Sequence, residues 1–501
     1  MLHSFGPLIT TWLVLAPAAP PNQALRRRCE TRPTSSYLET DCCRRFMTPA
    51  RAASPRSRVE NQSMAVTQQR QADTEPHDGL KFVRLCFYHV YIACTLGLST
   101  VLLIPRSQSG AVAGGGAIFQ ASWVFLLGLT VVTLITIRQH FGPNFFFAFM
   151  MCAYVTSSAI WSVNPSSTLT YGALFAGNIL VAYAITTEYS IDQIIRYISR
   201  IILVLTVLGL AAYAARLSFT FYFDHQSRAN LLGIQPLRGL FPHKITGGLY
   251  AVMGAILALK LYRGPLRLAA VSLYALFVIL SGSASALILG CTAMLIYFVV
   301  NFAVRRKIRS GMFALLFGTA ACVTSITVYL NQSSILDLLG RDSTLTGRTS
   351  LWQYGLDEWQ KHPILGWGFN GYFSSDYAQY LRHISAFQNY NVPHFHQSYI
   401  QTMVDLGLVG LILLVVMLSY ILYFSYKWAL QDTSGAGCAT FTLASSIAVA
   451  GFAIFVVFEY NHFATVILFI MYFGLRRRFA KQPNNSSATH MLTENRPKMR
   501  T

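Results

Sequence analysis

The feature that most restricts this chain is a succession of apolar runs, most of them long enough to cross the hydrocarbon layer of a membrane; the twelfth is short, so ten or eleven spans stay open as alternatives to twelve. A helix needs about 20 apolar residues to span ~30 Å. About twelve such runs occur, at 83–104, 117–137, 143–161, 167–186, 198–215, 245–262, 267–282, 284–304, 311–330, 398–424, 437–458 and 462–475. This pattern predicts an all-α polytopic membrane protein and excludes a soluble multidomain enzyme.

The charge of the chain fits the same class. The sequence is 53% hydrophobic and 12% charged, with a formal net charge of +20. In a soluble protein that excess would indicate nucleic acid as a partner. Here the basic residues fall in short loops and tails, which the positive-inside rule explains, so we expect membrane lipid and no nucleic acid as a partner.

The distribution of basic residues predicts the orientation of the chain. With a cytoplasmic N-terminus, the cytoplasmic joints carry Arg138, Arg196, Arg200, Lys260, Arg263, Arg267, Arg305, Arg306, Lys307, Arg309, Lys427, Arg476, Arg477, Arg478 and Lys481. The short joints on the other side hold only Arg106. This alternation places three polar connections on the outer face: 216–244, 281–285 and the long loop 331–397.

The chain therefore divides into five parts. Residues 1–80, rich in Arg, Ser, Thr, Pro and Gln, are expected to be a disordered tail, and an alternative start at Met64 leaves open whether 1–63 occur in the natural protein. Residues 81–330 carry the first nine helices, and 331–397 form an extracytoplasmic loop with an amphipathic helix. Residues 398–475 carry the last three helices, and 476–501 form a cytoplasmic tail. The nine cysteines form no paired CxxC motifs, so neither zinc nor a disulfide framework is predicted.

The long loop contains the segment "STLTGRTSLWQYGL". Trp352 and Trp359 recur at helical spacing, and Pro363 ends the pattern. Arg348 then lies in the first turn of an amphipathic helix, where its guanidinium can bind a phosphate beside exposed backbone N–H groups. The alternative is an interfacial arginine that reaches lipid headgroups.

Farther along, "GWGFNG" matches the spacing GxGxxG at residues 366–371. A dinucleotide-binding site requires a preceding strand and a following helix in a βαβ unit. A helix precedes the motif here, so we interpret it as a glycine-rich turn that allows close backbone approach.

Two histidines stand directly before the tenth apolar run, in "HFHQSYIQ". His396 is expected near a helix N-terminus, where a neutral imidazole is favoured and can act as a base. His394 and His396 also have metal-ligand spacing, but further ligands are missing, and we predict no metal and no cofactor. Other basic candidates on the same face are Arg238, His243 and Lys244 in "PLRGLFPHK", together with Arg341.

Three motifs in this order, "LGRDSTLTGRTSLW", "HPILGWGFNGYF" and "HFHQSYIQTMVDLGLVGL", resemble the O-antigen ligase and exopolysaccharide polymerase superfamily, nearest to its exopolysaccharide-production branch. "WSVNPSSTL" and "RGLFPHK" fit as well, and the resemblance covers about residues 81–475. The sequence departs from the family in having Gln397 where Asn is frequent, and in lacking a basic residue in "SGSASA".

The resemblance implies a metal-independent membrane glycosyltransferase, facing the periplasm in the cytoplasmic (inner) membrane. Its donor is an oligosaccharide on polyprenyl diphosphate, and its acceptor is a glycan or the lipid A core. Carried over to this sequence, Arg238 and Arg348 hold the diphosphate and His396 activates the acceptor hydroxyl. Arg341, Lys244, His243, His394 and Gln397 are the predicted substrate-binding residues. The glycan and the choice between polymerisation and ligation stay open, and a flippase or exporter of the same lipid-linked oligosaccharide is the alternative.

Overall fold

The structure is a computed structural model that describes residues 78–103, 117–137, 141–222, 232–330, 348–378, 381 and 392–480. The described residues form fourteen α-helices and an isolated bridge between Phe221 and Leu237. The helices are α1 (Asp78–Thr95), α2 (Leu98–Leu103), α3 (Ala117–Ile137), α4 (Phe146–Ser157), α5 (Pro165–Glu188), α6 (Ile191–Ala214), α7 (Lys244–Leu261), α8 (Gly264–Ser281), α9 (Ala284–Arg305), α10 (Ser310–Leu330), α11 (Arg348–Lys361), α12 (Ser398–Gln431), α13 (Ala436–Ala450) and α14 (Phe463–Ala480). The predicted all-α class is confirmed.

Seven helices in the described part of the chain are long and apolar enough to cross a membrane. They are Ile118–Ile137 within α3, and α5, α6, α7, α8, α9 and α12. Shorter apolar helices occur at Phe146–Ile160, Ser310–Ala320 and Ala436–Ala450. The chain is thus a multi-pass membrane protein, whereas the count of twelve spans stays a prediction. Residues 1–77, 331–347 and 481–501 lie outside the described residues, whereas 78–80 begin α1 and 476–480 end α14.

The most enclosed helices are α7 and α14. Every residue from Gly247 to Ala258 in α7, and from Phe463 to Leu475 in α14, is buried. An apolar helix in a membrane can face lipid or protein, and these two helices face neighbouring helices over most of their length. Small residues on α7 permit this, since a Cβ added at Gly254 would lie 2.5 Å from the Tyr274 ring.

Helix α12 is broken at Gly407, which has φ 63° and ψ −163°. The break leaves nearby backbone carbonyls without their helical N–H donors. Backbone N–H groups of the segment 366–371 bond to these carbonyls instead. Trp367 donates its backbone N–H to the Val404 carbonyl at 2.8 Å, and Gly368 donates to Asp405 at 2.9 Å. A Cβ at position 366 would lie 2.5 Å from the Asp405 carbonyl carbon. The glycines of "GWGFNG" therefore allow two main chains to meet, as the sequence predicted.

Helix α13 ends at Ala450, although its apolar run extends to residue 458. Residues 451–462, here called the 451–462 segment, are non-helical and are held by the start of α12. Ser398 donates its backbone N–H to Gly451 at 2.7 Å and its hydroxyl to Ile454 at 3.0 Å. The same hydroxyl accepts the N–H groups of Val456 and Val457 at 3.0 and 3.1 Å. These tertiary bonds replace helical ones, so the run predicted at 437–458 is helical only in its first part.

Candidate active site

The candidate site begins with Arg348, the first residue of α11. One terminal nitrogen of its guanidinium, Nη1, donates to the Ala453 carbonyl at 2.8 Å, so the arginine is oriented by the 451–462 segment. Helix α11 also packs closely on the histidine motif, since a Cβ at Gly355 would lie 3.0 Å from Phe395. Trp352 donates its indole N–H to the Phe395 carbonyl at 3.1 Å. The arginine and the histidine motif are therefore held by one helix.

The motif residues 394–397 adopt a constrained conformation before α12. His396 has φ 53°, in the left-handed region, and donates its backbone N–H to Nδ1 of His394 at 3.1 Å. The two imidazole rings lie 4.2 Å apart between centroids. Phe395 is fully buried, and the side-chain oxygen of Gln397 caps α12 by accepting the N–H of Ile400. A strained residue between a buried anchor and a helix cap fixes the direction of the His396 side chain.

The second group of basic residues precedes α7. Arg238 donates from Nε to the Phe219 carbonyl at 2.9 Å and from Nη1 to the Pro242 carbonyl at 3.2 Å. His243 caps α7, with Nδ1 accepting the N–H of Ile245 at 3.1 Å. The Lys244 ammonium lies 4.9 Å from the centroid of the Tyr222 ring.

The two groups share one electrostatic site. Burial is the largest cause that lowers the pKa of His243 from 6.5 to about 3, and Lys244, Arg348, His394 and Arg238 contribute to the same shift. Burial and Arg348 lower the pKa of His394 to about 4. The pKa of His396 falls well below its ordinary value through burial, then through His394, Arg348 and His243. Residues from three distant parts of the chain thus act on the same imidazoles.

This arrangement combines fixed positive charge with neutral imidazoles. Guanidinium groups stay charged at any physiological pH, and the lowered pKa values keep the three histidines uncharged. Such an arrangement is suited to binding an anion through the arginines. The negative charge of that anion then raises the pKa of the nearby histidines and makes them better proton acceptors. Arg341, the remaining predicted residue, lies outside the described residues.

A groove elsewhere on the loop does not share these properties. It encloses about 600 Å³ and is lined by Tyr354, Asp357, Glu358, Lys361, Asp376 and Tyr377. Its lysine is paired with Glu358 at 2.7 Å. Three carboxylates make this groove a poor site for a phosphate.

The sequence interpretation assigned no role to Glu459, although it lies on the 451–462 segment. Its carboxylate oxygen Oε2 is 3.8 Å from Nε2 of His462, which in turn lies 3.0 Å from the Tyr250 hydroxyl. Burial raises the pKa of Glu459 to about 8. The sequence feature that could have indicated it is an acid and a histidine between two apolar runs. Burying ionisable groups there costs free energy, so such residues usually have a function.

Comparisons with known proteins point to one family. Residues 269–415 match the model of the O-antigen ligase family. Over 290 residues the chain is 30% identical to the "Exopolysaccharide production protein ExoQ" of Rhizobium meliloti (strain 1021). That alignment covers 54% of this chain and 62% of the relative, so the chain spans less than two thirds of the length of that relative. The matches confirm that the chain resembles the O-antigen ligase and exopolysaccharide polymerase superfamily, in its exopolysaccharide-production branch.

Proposed function

We propose that this protein is an integral-membrane glycosyltransferase that polymerises or ligates glycans carried on polyprenyl diphosphate. The observation that carries the proposal is the shared site of Arg238, Arg348 and the three histidines. Lipid diphosphate needs a cationic site at the end of membrane helices, and α7 and α12 both begin at this site. The similarity to an exopolysaccharide production protein supports glycan as the cargo.

The arginines bind the diphosphate and stabilise its departure. Displacing a sugar from a diphosphate builds negative charge on the leaving oxygen, and a fixed guanidinium in a partly dehydrated site stabilises that charge by about 2–4 kcal/mol. The carbonyls of Phe219, Pro242 and Ala453 hold the two guanidinium forks in place before the donor arrives. Little reorganisation is then needed during the reaction.

His396 acts as the general base toward the acceptor hydroxyl. A positioned base contributes on the order of 10²–10⁴ in rate. In the donor-free site its low pKa makes it a weak base. Binding of the diphosphate neutralises the surrounding positive charge and raises the pKa of His396, so the base is activated only when donor is present.

The remaining predicted residues contribute to binding. His243, Lys244 and His394 surround the proposed diphosphate position. Gln397 uses its side-chain oxygen to cap α12, which leaves its amide nitrogen as the group proposed to contact substrate. Arg341 is retained as a proposed substrate contact from the sequence alone. We assign no cofactor and no metal to the reaction.

The helix directions support an outward-facing site. Helices α7, α9 and α14 each carry arginine or lysine in the last turn, at Lys260, Arg305, Arg477 and Arg478. Since α7 starts at the candidate site, its basic end lies on the opposite side of the bundle. The positive-inside rule then assigns the basic ends to the cytoplasm and the site to the periplasmic side of the inner membrane. The loop 331–397 accordingly faces the periplasm.

The deciding experiment incubates purified protein with lipid-linked oligosaccharide and follows product length. Elongation without added core acceptor identifies a polymerase, and a requirement for lipid A core identifies a ligase. Transfer of the lipid-linked sugar between leaflets without elongation would instead favour a flippase or exporter. Absence of any new glycosidic bond, with or without core acceptor, would refute the proposed function.

A further inference from the structure

Glu459 is a deeply placed acid to which the proposed reaction gives no role. Its side chain is 26% accessible although its surroundings raise its pKa to about 8. Acids at such depth are normally paired. The imidazole of His462, at 3.8 Å, is beyond hydrogen-bond distance. The carboxyl group is therefore partly accessible and has no hydrogen-bond partner among the residues that the structure describes.

His462 is fixed by other bonds and does not neutralise this carboxyl. Its Nδ1 accepts the backbone N–H of Ala464 at 3.1 Å. A neutral histidine with an accepting Nδ1 carries its proton on Nε2. That proton lies toward the Tyr250 hydroxyl, 3.0 Å away. These two hydrogen bonds fix the His462 imidazole next to Glu459.

The neighbours of Glu459 have the chemistry of a sugar-binding site. The rings of Tyr171 and Tyr460 lie 4.1 Å apart between centroids, and both are half-buried. The side-chain oxygen of Asn461 is buried without a hydrogen-bond partner among the residues that the structure describes. Aromatic rings pack against the C–H face of a sugar, while carboxyl and amide oxygens accept bonds from its hydroxyls.

The 451–462 segment connects these residues to the candidate active site. The Ala453 carbonyl of that segment accepts a hydrogen bond from the Arg348 guanidinium. The ring of Phe455, on the same segment, lies 5.3 Å from the His394 ring between centroids. Phe458 and Asn461, on either side of Glu459, have φ 59° and 57°. Non-glycine residues in this region are strained, and such strain concentrates at ligand sites.

We propose that Glu459, Tyr171, Tyr460 and Asn461 bind the acceptor sugar whose hydroxyl attacks the donor. This proposal rests on the glycosyltransferase function proposed above. The acceptor sugar suits these four residues better than the donor diphosphate, because they offer aromatic rings and hydrogen-bonding oxygens but no positive charge. The strained segment thus positions the arginine that holds the donor and the acid that holds the acceptor.

The test separates acceptor binding from donor binding. The donor is lipid-linked oligosaccharide from exopolysaccharide-producing cells, and the acceptor is the same oligosaccharide released from its diphosphate by mild acid. Glu459→Ala should raise the KM for the acceptor about ten- to hundredfold, the loss expected for one or two buried hydrogen bonds. The KM for the donor should change less than about twofold. Glu459→Gln keeps the shape of the side chain and should raise the acceptor KM several-fold.

The matched control is Asp357→Ala, which removes an exposed acid from α11 that bonds to Gln353, and it should leave both KM values unchanged. If Glu459→Ala fails to give a monodisperse protein, Glu459→Gln decides. Wild-type elongation with an unchanged acceptor KM in the folded variants would overturn the acceptor subsite alone. A wild-type protein that makes no glycosidic bond would overturn the proposed function and the subsite together.

Discussion

Replacing Ser398 by alanine tests whether the 451–462 segment is what orients the site. The hydroxyl of this fully buried residue donates one hydrogen bond to Ile454 and accepts two, from Val456 and Val457. Its removal leaves two backbone N–H groups and one carbonyl without their partner. Each orphaned buried group costs roughly 1–3 kcal/mol, so we expect the segment to lose about 3–9 kcal/mol of local stability.

Hydrogen exchange followed by mass spectrometry measures this loss where it occurs. A local loss of about 1.4 kcal/mol speeds exchange about tenfold, so the amides of Val456 and Val457 should exchange at least about a hundredfold faster. Elongation should fall as well, because the segment orients Arg348 through the Ala453 carbonyl. The monodisperse protein in detergent is the sample for both measurements.

Thr402→Ala provides the matched control. Thr402 is also buried on α12, but its hydroxyl donates only to the carbonyl of Ser398, within the same helix. Exchange in the 451–462 segment should therefore stay near the wild-type rate. Equal exchange in the Ser398 and Thr402 variants would refute the argument that one hydroxyl holds the segment.

Three further predictions concern the site and its support. Arg348→Ala and His396→Ala should each abolish elongation at wild-type protein levels. Arg348→Lys should be strongly impaired, because an ammonium group cannot replace the bidentate guanidinium. Full activity in all three variants would contradict the assignment. The free energy of unfolding should fall as the pH drops from 6.5 toward 4. In this range the unfolded chain binds a proton at His394, whereas the folded protein, in which the pKa of His394 is about 4, does not. Thermal unfolding at several pH values should show a smaller loss of stability for His394→Gln than for the wild type. A wild-type stability that does not change with pH in this range would exclude the effect. Gly366→Ala should destabilise the protein by more than about 2 kcal/mol, because φ is 72° and the new Cβ meets backbone, whereas Gly128→Ala, in open helix, should be neutral or stabilising.

The helices were predictable because their signal is local. The apolar runs gave α5, α7 and α9 nearly to the residue, and the start of α11 followed from the spacing of its tryptophans. The role of "GWGFNG" was also accessible, since several glycines in a short turn indicate close backbone approach. The break at Gly407 was not, because it depends on carbonyls that residues 366–371 satisfy from outside the helix.

The sequence by itself determined that this is a multi-pass helical membrane protein, which helix ends are basic, and which arginines and histidines to examine. Only the tertiary structure placed the charges of Arg238 and Arg348 beside one imidazole, that of His243, because no local pattern relates two arginines so far apart in the chain. The tertiary structure also ended α13 early and placed Glu459 beside that site. In both cases the physical reason is that buried backbone N–H groups of the 451–462 segment form hydrogen bonds with Ser398 on α12, instead of continuing the hydrogen bonding of α13.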